Sequence, residues 1–102
     1  MCSINTTSSY ALTGDFTITE DGNGGINLVF ADNYNASTAL PGLYVYLTNN
    51  PSTTTGSLEL QKVQTFQGAH TYSIPNVGVN DYSHVLYFCK PFNVKVGDGE
   101  IL

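Results

Sequence analysis

The stretch that decides the fold is YSHVLYFCKPF, residues 82–92. Its centre, from Val85 to Cys89, is entirely apolar or aromatic, and Pro91 follows closely. A continuous apolar run of this length, closed by a proline, is typical of a strand that is covered on both faces. The run predicts a core strand, and the thiol at its end is the first candidate for chemistry.

Outside this strand, apolar and polar residues alternate almost from end to end, and no segment shows a convincing helical period. Phe16 and Ile18 share one face of a strand, and the glycine-rich segment 20–25 then offers residues that tolerate the positive φ of a hairpin loop. Alternation resumes over residues 26–30, so these two strands are expected to pair. The polar segment 31–42 is expected to cross the core as a loop.

About seven such strands, with turn signals roughly every 8 to 12 residues, predict a single all-β domain, an antiparallel β-sandwich. Residues 10–102 form this domain, and residues 1–9 are expected to be a polar N-terminal tether that is dispensable for folding. The predicted core takes one parity of each alternating run. Its members are Phe16, Ile18, Leu28, Phe30, Val45, Leu47, Leu58, Leu60, Tyr72, Ile74, Val85, Val94 and Val96.

The charge composition excludes one class of partner. Only 11% of the 102 residues are charged, and three Lys, no Arg and eight acidic residues give a net charge of −5. Without Arg there is no bidentate phosphate contact, and three scattered Lys cannot neutralise a run of phosphates. We expect no nucleic-acid partner. So sparsely charged a composition is more typical of secreted or cell-surface domains than of cytosolic enzymes.

Cys2 bears on cellular location. It precedes the polar run Ser3–Ser9, and no apolar stretch approaches the roughly 20 residues needed to span a bilayer. Cys2 is either the lipidated residue of a trimmed bacterial lipoprotein or part of an ordinary frayed terminus. We expect an extracytoplasmic protein, periplasmic or at the cell surface, that meets the membrane only through lipidation at Cys2. A disulfide to Cys89 is disfavoured because the tether is expected to be mobile.

Ionisable side chains offer few alternatives to the thiol. The carboxylates of Glu20, Asp21 and Asp32 lack the spacing of a recognised calcium loop. His84 lies five residues before Cys89, so the two side chains point to opposite faces of a regular strand. We therefore expect no metal site.

Cys89 itself has two interpretations. Free cysteine often fills a core as a small apolar residue. Alternatively, Lys90 and Pro91 place the thiol at a strand end that water reaches, beside a positive charge, which are conditions that lower the pKa of a thiol.

Four segments, taken in order, resemble the DM-thirteen domain: PGLYVYL at 41–47, GAHTYSIP at 68–75, YSHVLYFCKPF at 82–92 and GDGEI at 97–101. The resemblance runs from about Thr13 to the end of the chain. The family is described as an electron-transfer domain, found in bacterial envelope proteins and in animal extracellular proteins beside cytochrome-like DOMON domains.

The resemblance implies roles for individual residues. The near-invariant cysteine of the family falls on Cys89, which would carry the redox role, while segment 68–75 would be structural. Tyr10 stands near the position where the family often shows a histidine, and Gly99 replaces an alanine in the closing motif. The first departure argues against a histidine-assisted cofactor site.

Two functions follow. The first is a small extracytoplasmic redox domain in which Cys89 is the working thiol. A single thiol cannot complete a two-electron dithiol cycle, so this role requires a bound cofactor, left open here, a mixed disulfide or a protein redox partner. The second is a cell-surface binding or adhesion module, not an enzyme, with Cys89 as filler and a partner surface formed by tyrosines. These tyrosines include Tyr44, Tyr46, Tyr72 and Tyr87.

Overall fold

The computed structural model describes residues 2–8, 10–39 and 42–101. These residues form nine β-strands and no helix, which confirms the all-β prediction with two strands more than expected. Among them there is accordingly no helix long and apolar enough to cross a membrane. The strands are β1 (Cys2–Thr6), β2 (Leu12–Glu20), β3 (Ile26–Phe30), β4 (Asn35–Ala36), β5 (Leu43–Thr48), β6 (Leu58–Lys62), β7 (His70–Ile74), β8 (His84–Cys89) and β9 (Val94–Glu100).

All nine strands belong to one antiparallel sheet. Along it the order is β6-β5-β8-β9-β1-β2-β3-β7, and the short β4 pairs with β2. The sheet curls around a single core, so the two end strands, β6 and β7, line opposite sides of a cleft. The sandwich is therefore continuous and nearly closed into a barrel.

The strand predicted from the opening motif lies inside this sheet, between β5 and β9. Val85, Leu86 and Tyr87 are all buried, which confirms that β8 is covered on both faces. The β2–β3 hairpin is also as predicted, with Phe16 opposite Phe30. Its turn is held by the Asp21 carboxylate, which accepts hydrogen bonds from the turn amides.

The core agrees with the predicted parity. Ile18, Leu58, Leu60 and Val94 are half-buried, and the other predicted core side chains are buried. Several core residues were not among those predicted, including Ile4, Leu12 and Tyr34, all fully buried.

The tether prediction for residues 1–9 is wrong for Cys2–Thr6. These residues form β1, which pairs with both β2 and β9 in the interior of the sheet. Cys2 and Ile4 face the core, and after the strand Ser8 donates a hydrogen bond to the Val96 carbonyl. The alternation in this segment rests on only two apolar residues, Cys2 and Ile4, which is too short a pattern to identify a strand from the sequence. Met1 and Ser9 lie outside the described residues.

Candidate functional site

Cys89 is the last residue of β8, opposite Leu43 on β5 and Val94 on β9. Its relative exposure is 0%. The sequence left open whether this thiol fills the core or lies at a strand end that water reaches, and the structure places it in the core. Pairing with β5 continues past the end of the strand, because the Lys90 amide donates to the Gly42 carbonyl at 3.1 Å.

The Lys90 side chain, which follows Cys89 in the sequence, points away from the thiol. Lys90 Nζ lies 4.2 Å from the centroid of the Tyr44 ring and pairs with the Glu59 carboxylate. Hydrogen bonding to Glu59 raises the pKa of Lys90, so its charge is held at the outer surface of the sheet. Lys90 therefore gives no direct electrostatic support to a Cys89 thiolate.

Cys2 and Cys89 are both buried. Cys89 pairs with Val94 at one end of β9, whereas β1 runs along the other end, with Asn5 opposite Asp98. Cys2 therefore lies at the His84 end of β8, and His84 is roughly 17 Å from Cys89 along the strand. This separation excludes a disulfide between them in the folded chain.

His84 does not join the thiol. The His84 Nδ1 atom lies 2.7 Å from the Ser83 hydroxyl at the far end of β8. Among the described residues no group of three or more His, Cys, Asp or Glu could hold a metal ion.

The four tyrosines proposed as a partner surface lie on two sides of the sheet. Tyr44 and Tyr46 are on the outer face of β5, whereas Tyr72 and Tyr87 are in the core, 8% and 0% exposed. The prediction of one tyrosine surface is therefore wrong, because alternate residues of a strand face opposite sides.

The core contains a polar group of side chains that the sequence did not indicate. Tyr34, His70, Tyr72 and Tyr87 surround the Phe30 ring, and we call these four the tyrosine–histidine cluster. The centroid of the His70 ring lies 4.5 Å from that of Tyr34 and 5.3 Å from that of Tyr72. The Tyr34 and Tyr87 centroids are 6.4 Å apart.

Neighbouring strands bring these side chains together. His70 on β7 is opposite Phe30 on β3, and Tyr72 follows two residues later on the same face. Tyr34 enters from the turn after β3, where its backbone passes over Gly14. A Cβ atom at Gly14 would lie 2.6 Å from the Tyr34 Cα, so this position requires glycine.

Burial controls the protonation of the three tyrosines in the cluster. It raises the pKa of Tyr34, raises that of Tyr72 to about 12, and raises that of Tyr87 well above its ordinary value. The three phenols are therefore neutral near neutral pH. The Tyr34 and Tyr87 hydroxyls interact with each other by a hydrogen bond. The Tyr72 hydroxyl and His70 Nε2 are buried and have no hydrogen-bond partner among the described residues.

Cys89 and this cluster share one side of β8. Tyr87 and Cys89 are two residues apart and both face the core. The thiol is therefore next to the cluster along the strand. Sequence parity placed Tyr87 and Cys89 on the same face, but nothing local indicated that Tyr34 and His70 would join them.

Comparison with known proteins identifies the family. Residues 5–101 match a family model described as Electron transfer DM13, the DM-thirteen domain. No curated protein and no solved structure matched the chain. Since the match spans nearly the whole sequence and includes the core strand that ends at Cys89, the chain belongs to the DM13 electron-transfer family.

Proposed function

We propose that this protein is an extracytoplasmic electron-transfer domain in which Cys89 is the redox-active residue and a second protein is the electron donor or acceptor. The observation that carries the proposal is the match of residues 5–101 to an electron-transfer family. The assignment to Cys89 is supported by the family resemblance, whose characteristic cysteine falls there.

The burial of Cys89 limits how it can act. Thiol–disulfide exchange requires access for the attacking sulfur, and a side chain with 0% exposure has none in the closed fold. Cys2 is too distant to act as a resolving thiol. Cys89 would therefore exchange electrons one at a time through the surrounding protein. When the thiol is oxidised, it would pass one electron to the partner protein and release one proton to solvent, and it would regain both when it is reduced.

The turn after β8 is the surface nearest to the thiol along the chain. Phe92 in this turn is 49% exposed, whereas the other large apolar side chains among the described residues are buried or half-buried. A partner that docked on Phe92 would approach Cys89 more closely than one bound at the His84 end of the strand. We therefore place the docking site for the redox partner at this turn.

The extracytoplasmic location is supported by the low proportion of charged residues and by the settings in which the DM13 family occurs.

Lipid attachment at Cys2 is a separate part of the proposal. The Cys2 side chain is 6% exposed and borders a surface cleft with Ile101 and Tyr82, which offers a way out for an attached chain. Labelling in a bacterial host with an alkynyl fatty acid, compared with Cys2→Ser, tests the attachment.

Stopped-flow reduction of ferricyanide, a one-electron acceptor, tests the redox role. The Cys2→Ser variant is expected to reduce ferricyanide as fast as the unmodified chain, whereas Cys89→Ala is expected to lose the reaction while keeping its circular dichroism spectrum. Equal rates for all three chains would remove Cys89 from the proposal.

A further inference from the structure

We propose that three tyrosines of the core, Tyr87, Tyr34 and Tyr72, carry single electrons between Cys89 and the cleft that separates β6 from β7. We call these three residues the tyrosine relay. The relay rests on the proposed electron-transfer role of Cys89 and gives this enclosed thiol a route to the surface. Two features of the structure carry it: the close packing of the rings and the place where they meet the cleft.

The rings of the relay pack around Phe30 as one continuous group. The centroid of the Phe30 ring lies 5.0 Å from that of Tyr34, 6.1 Å from that of Tyr72 and 6.3 Å from that of Tyr87. These are the separations of aromatic rings in contact. Because electron transfer slows steeply with distance, short steps between neighbouring rings are faster than one long step through the core.

Tyr87 brings this group of rings to the thiol. Tyr87 and Cys89 are two residues apart on β8 and both face the core, so their Cα atoms are roughly 7 Å apart. The chain contains no Trp, and phenols lose an electron more readily than the Phe ring or aliphatic side chains do. The tyrosines are therefore the side chains of this core best able to exchange an electron with the thiol.

Burial requires that a proton moves with each electron. The raised pKa values of the three phenols keep them neutral, and a charge left in the core after the loss of an electron would be costly. The hydrogen bond between the Tyr34 and Tyr87 hydroxyls provides a direct path for the proton between these two residues. An electron and a proton that move together leave every member of the relay neutral.

Each step of the relay is balanced. A one-electron acceptor protein at the cleft takes one electron from Tyr72, and the phenol proton leaves to solvent. Tyr34 then gives one electron and one proton to the Tyr72 radical, and Tyr87 restores Tyr34 in the same way. The Cys89 thiol finally restores Tyr87, so the three O–H bonds are re-formed and the S–H bond has broken to leave a thiyl radical. Reduction takes one electron from a donor protein and one proton from solvent and runs the steps in reverse.

The relay reaches the surface beside the turn at which we place the redox partner. Tyr72 lines the cleft, which has a volume of about 270 Å³. Glu59 lines the same cleft and pairs with Lys90, two residues before the exposed Phe92. A protein docked on the Phe92 turn would therefore lie next to the end of the relay.

The test is flash photolysis with a ruthenium tris-bipyridine photo-oxidant attached beside Tyr72. Ser73→Cys, at an exposed position on β7, is combined with Cys2→Ser and labelled in the folded state, in which Cys89 is enclosed. A flash with a soluble electron acceptor leaves one oxidising equivalent on the ruthenium. We expect a tyrosyl radical, followed by its absorption, that decays as Cys89 restores the relay.

Substitutions in the labelled chain identify the members of the relay. Tyr87→Phe keeps the ring but not the oxidisable phenol, so we expect the tyrosyl radical to live at least about tenfold longer, the effect of a barrier higher by about 1.4 kcal/mol. Cys89→Ala should prolong it similarly. Tyr44→Phe, on the outer face, is the matched control and should leave the decay unchanged. Equal decay in Tyr87→Phe and Tyr44→Phe would overturn the relay.

A nearly isosteric analogue gives an answer even if Tyr87→Phe fails to fold. Replacement of Tyr87 by 3-fluorotyrosine keeps both the ring and the hydroxyl. In the Cys89→Ala chain the radical can no longer pass to the thiol, so we expect the fluorine to add its splitting to the electron paramagnetic resonance spectrum of the trapped radical. A trapped radical without this splitting would show that Tyr87 is not oxidised and would overturn the relay.

The failure of the relay is distinguishable from that of the proposed function. Ferricyanide reduction that depends on Cys89, together with a tyrosyl decay that does not, would overturn the relay alone. A decay that depends on both Tyr87 and Cys89, without Cys89-dependent ferricyanide reduction, would support the relay and count against the proposed function.

Discussion

Cys89 is enclosed by the core, and this enclosure sets the rate of its reactions. A reagent such as dithionitrobenzoate can reach the sulfur only after local opening. In the Cys2→Ser variant, where Cys89 is the sole thiol, we expect the folded protein to react roughly a hundredfold or more slowly than the urea-unfolded chain. Similar rates in the two states would show that the thiol is accessible in the native protein.

The enclosed thiol should also contribute to stability. Cys89→Ala leaves a small cavity at a position with 0% exposure, so we expect a loss of about 1 kcal/mol in the free energy of unfolding. Urea denaturation measures this loss. A neutral or stabilising effect would mean that the core tolerates the residue rather than depends on it.

The pKa of Asp15 on β2 depends on its contact with Ser3 on β1. The Ser3 hydroxyl donates to its carboxylate at 2.7 Å, and this bond, followed by one from Asn33, lowers the pKa of Asp15 below 3.8. A lowered pKa in the folded state means that the stabilisation is present above pH 3.8 and is lost as the pH falls through the folded value. Ser3→Ala should therefore raise the pKa of Asp15 and destabilise the protein less at pH 2 than at pH 7.

Carbon-detected NMR titration of Asp15 measures this shift, with Thr17→Ala, an exposed position on the same strand, as the control. An unchanged Asp15 pKa in Ser3→Ala would contradict the pairing of the two strands at this point.

At the scale of elements, β1 is an interior strand and should be needed for folding. Ile4 is fully buried on this strand and Asn5 beside it is exposed. We expect Ile4→Ala to cost about 2–5 kcal/mol and Asn5→Ala to stay within about 0.5 kcal/mol of the unmodified protein. Equal, small effects in thermal denaturation would restore the tether interpretation.

The contact between β2 and the turn at Tyr34 gives a second test at this scale. Gly14→Ala would place a methyl group against the Tyr34 backbone at a φ of +141°, whereas Gly22 has a φ of +83° in an exposed turn with open space around it. Both substitutions strain the backbone, but only the first also displaces a neighbouring segment. Gly14→Ala should therefore lower the melting temperature much more than Gly22→Ala.

For the whole molecule, local alternation was sufficient to predict the all-β class, the β2–β3 hairpin and most of the core. It could not predict that β1 inserts between β2 and β9, because that pairing joins the two ends of the chain and leaves no local pattern. The tyrosine–histidine cluster was missed for the same reason. Tyr34 and Tyr87 are far apart in sequence and meet only when the sheet curls.

The most direct test of the thiol as the electron-transfer group is coulometric titration of the metal-free protein, which counts the electrons exchanged per chain. Metal-free protein is used so that an adventitious metal ion cannot supply the signal. The account predicts one exchange event in the Cys2→Ser chain and none when Cys89→Ala is added. The same electron count with and without Cys89, or no exchange in either chain, would contradict it.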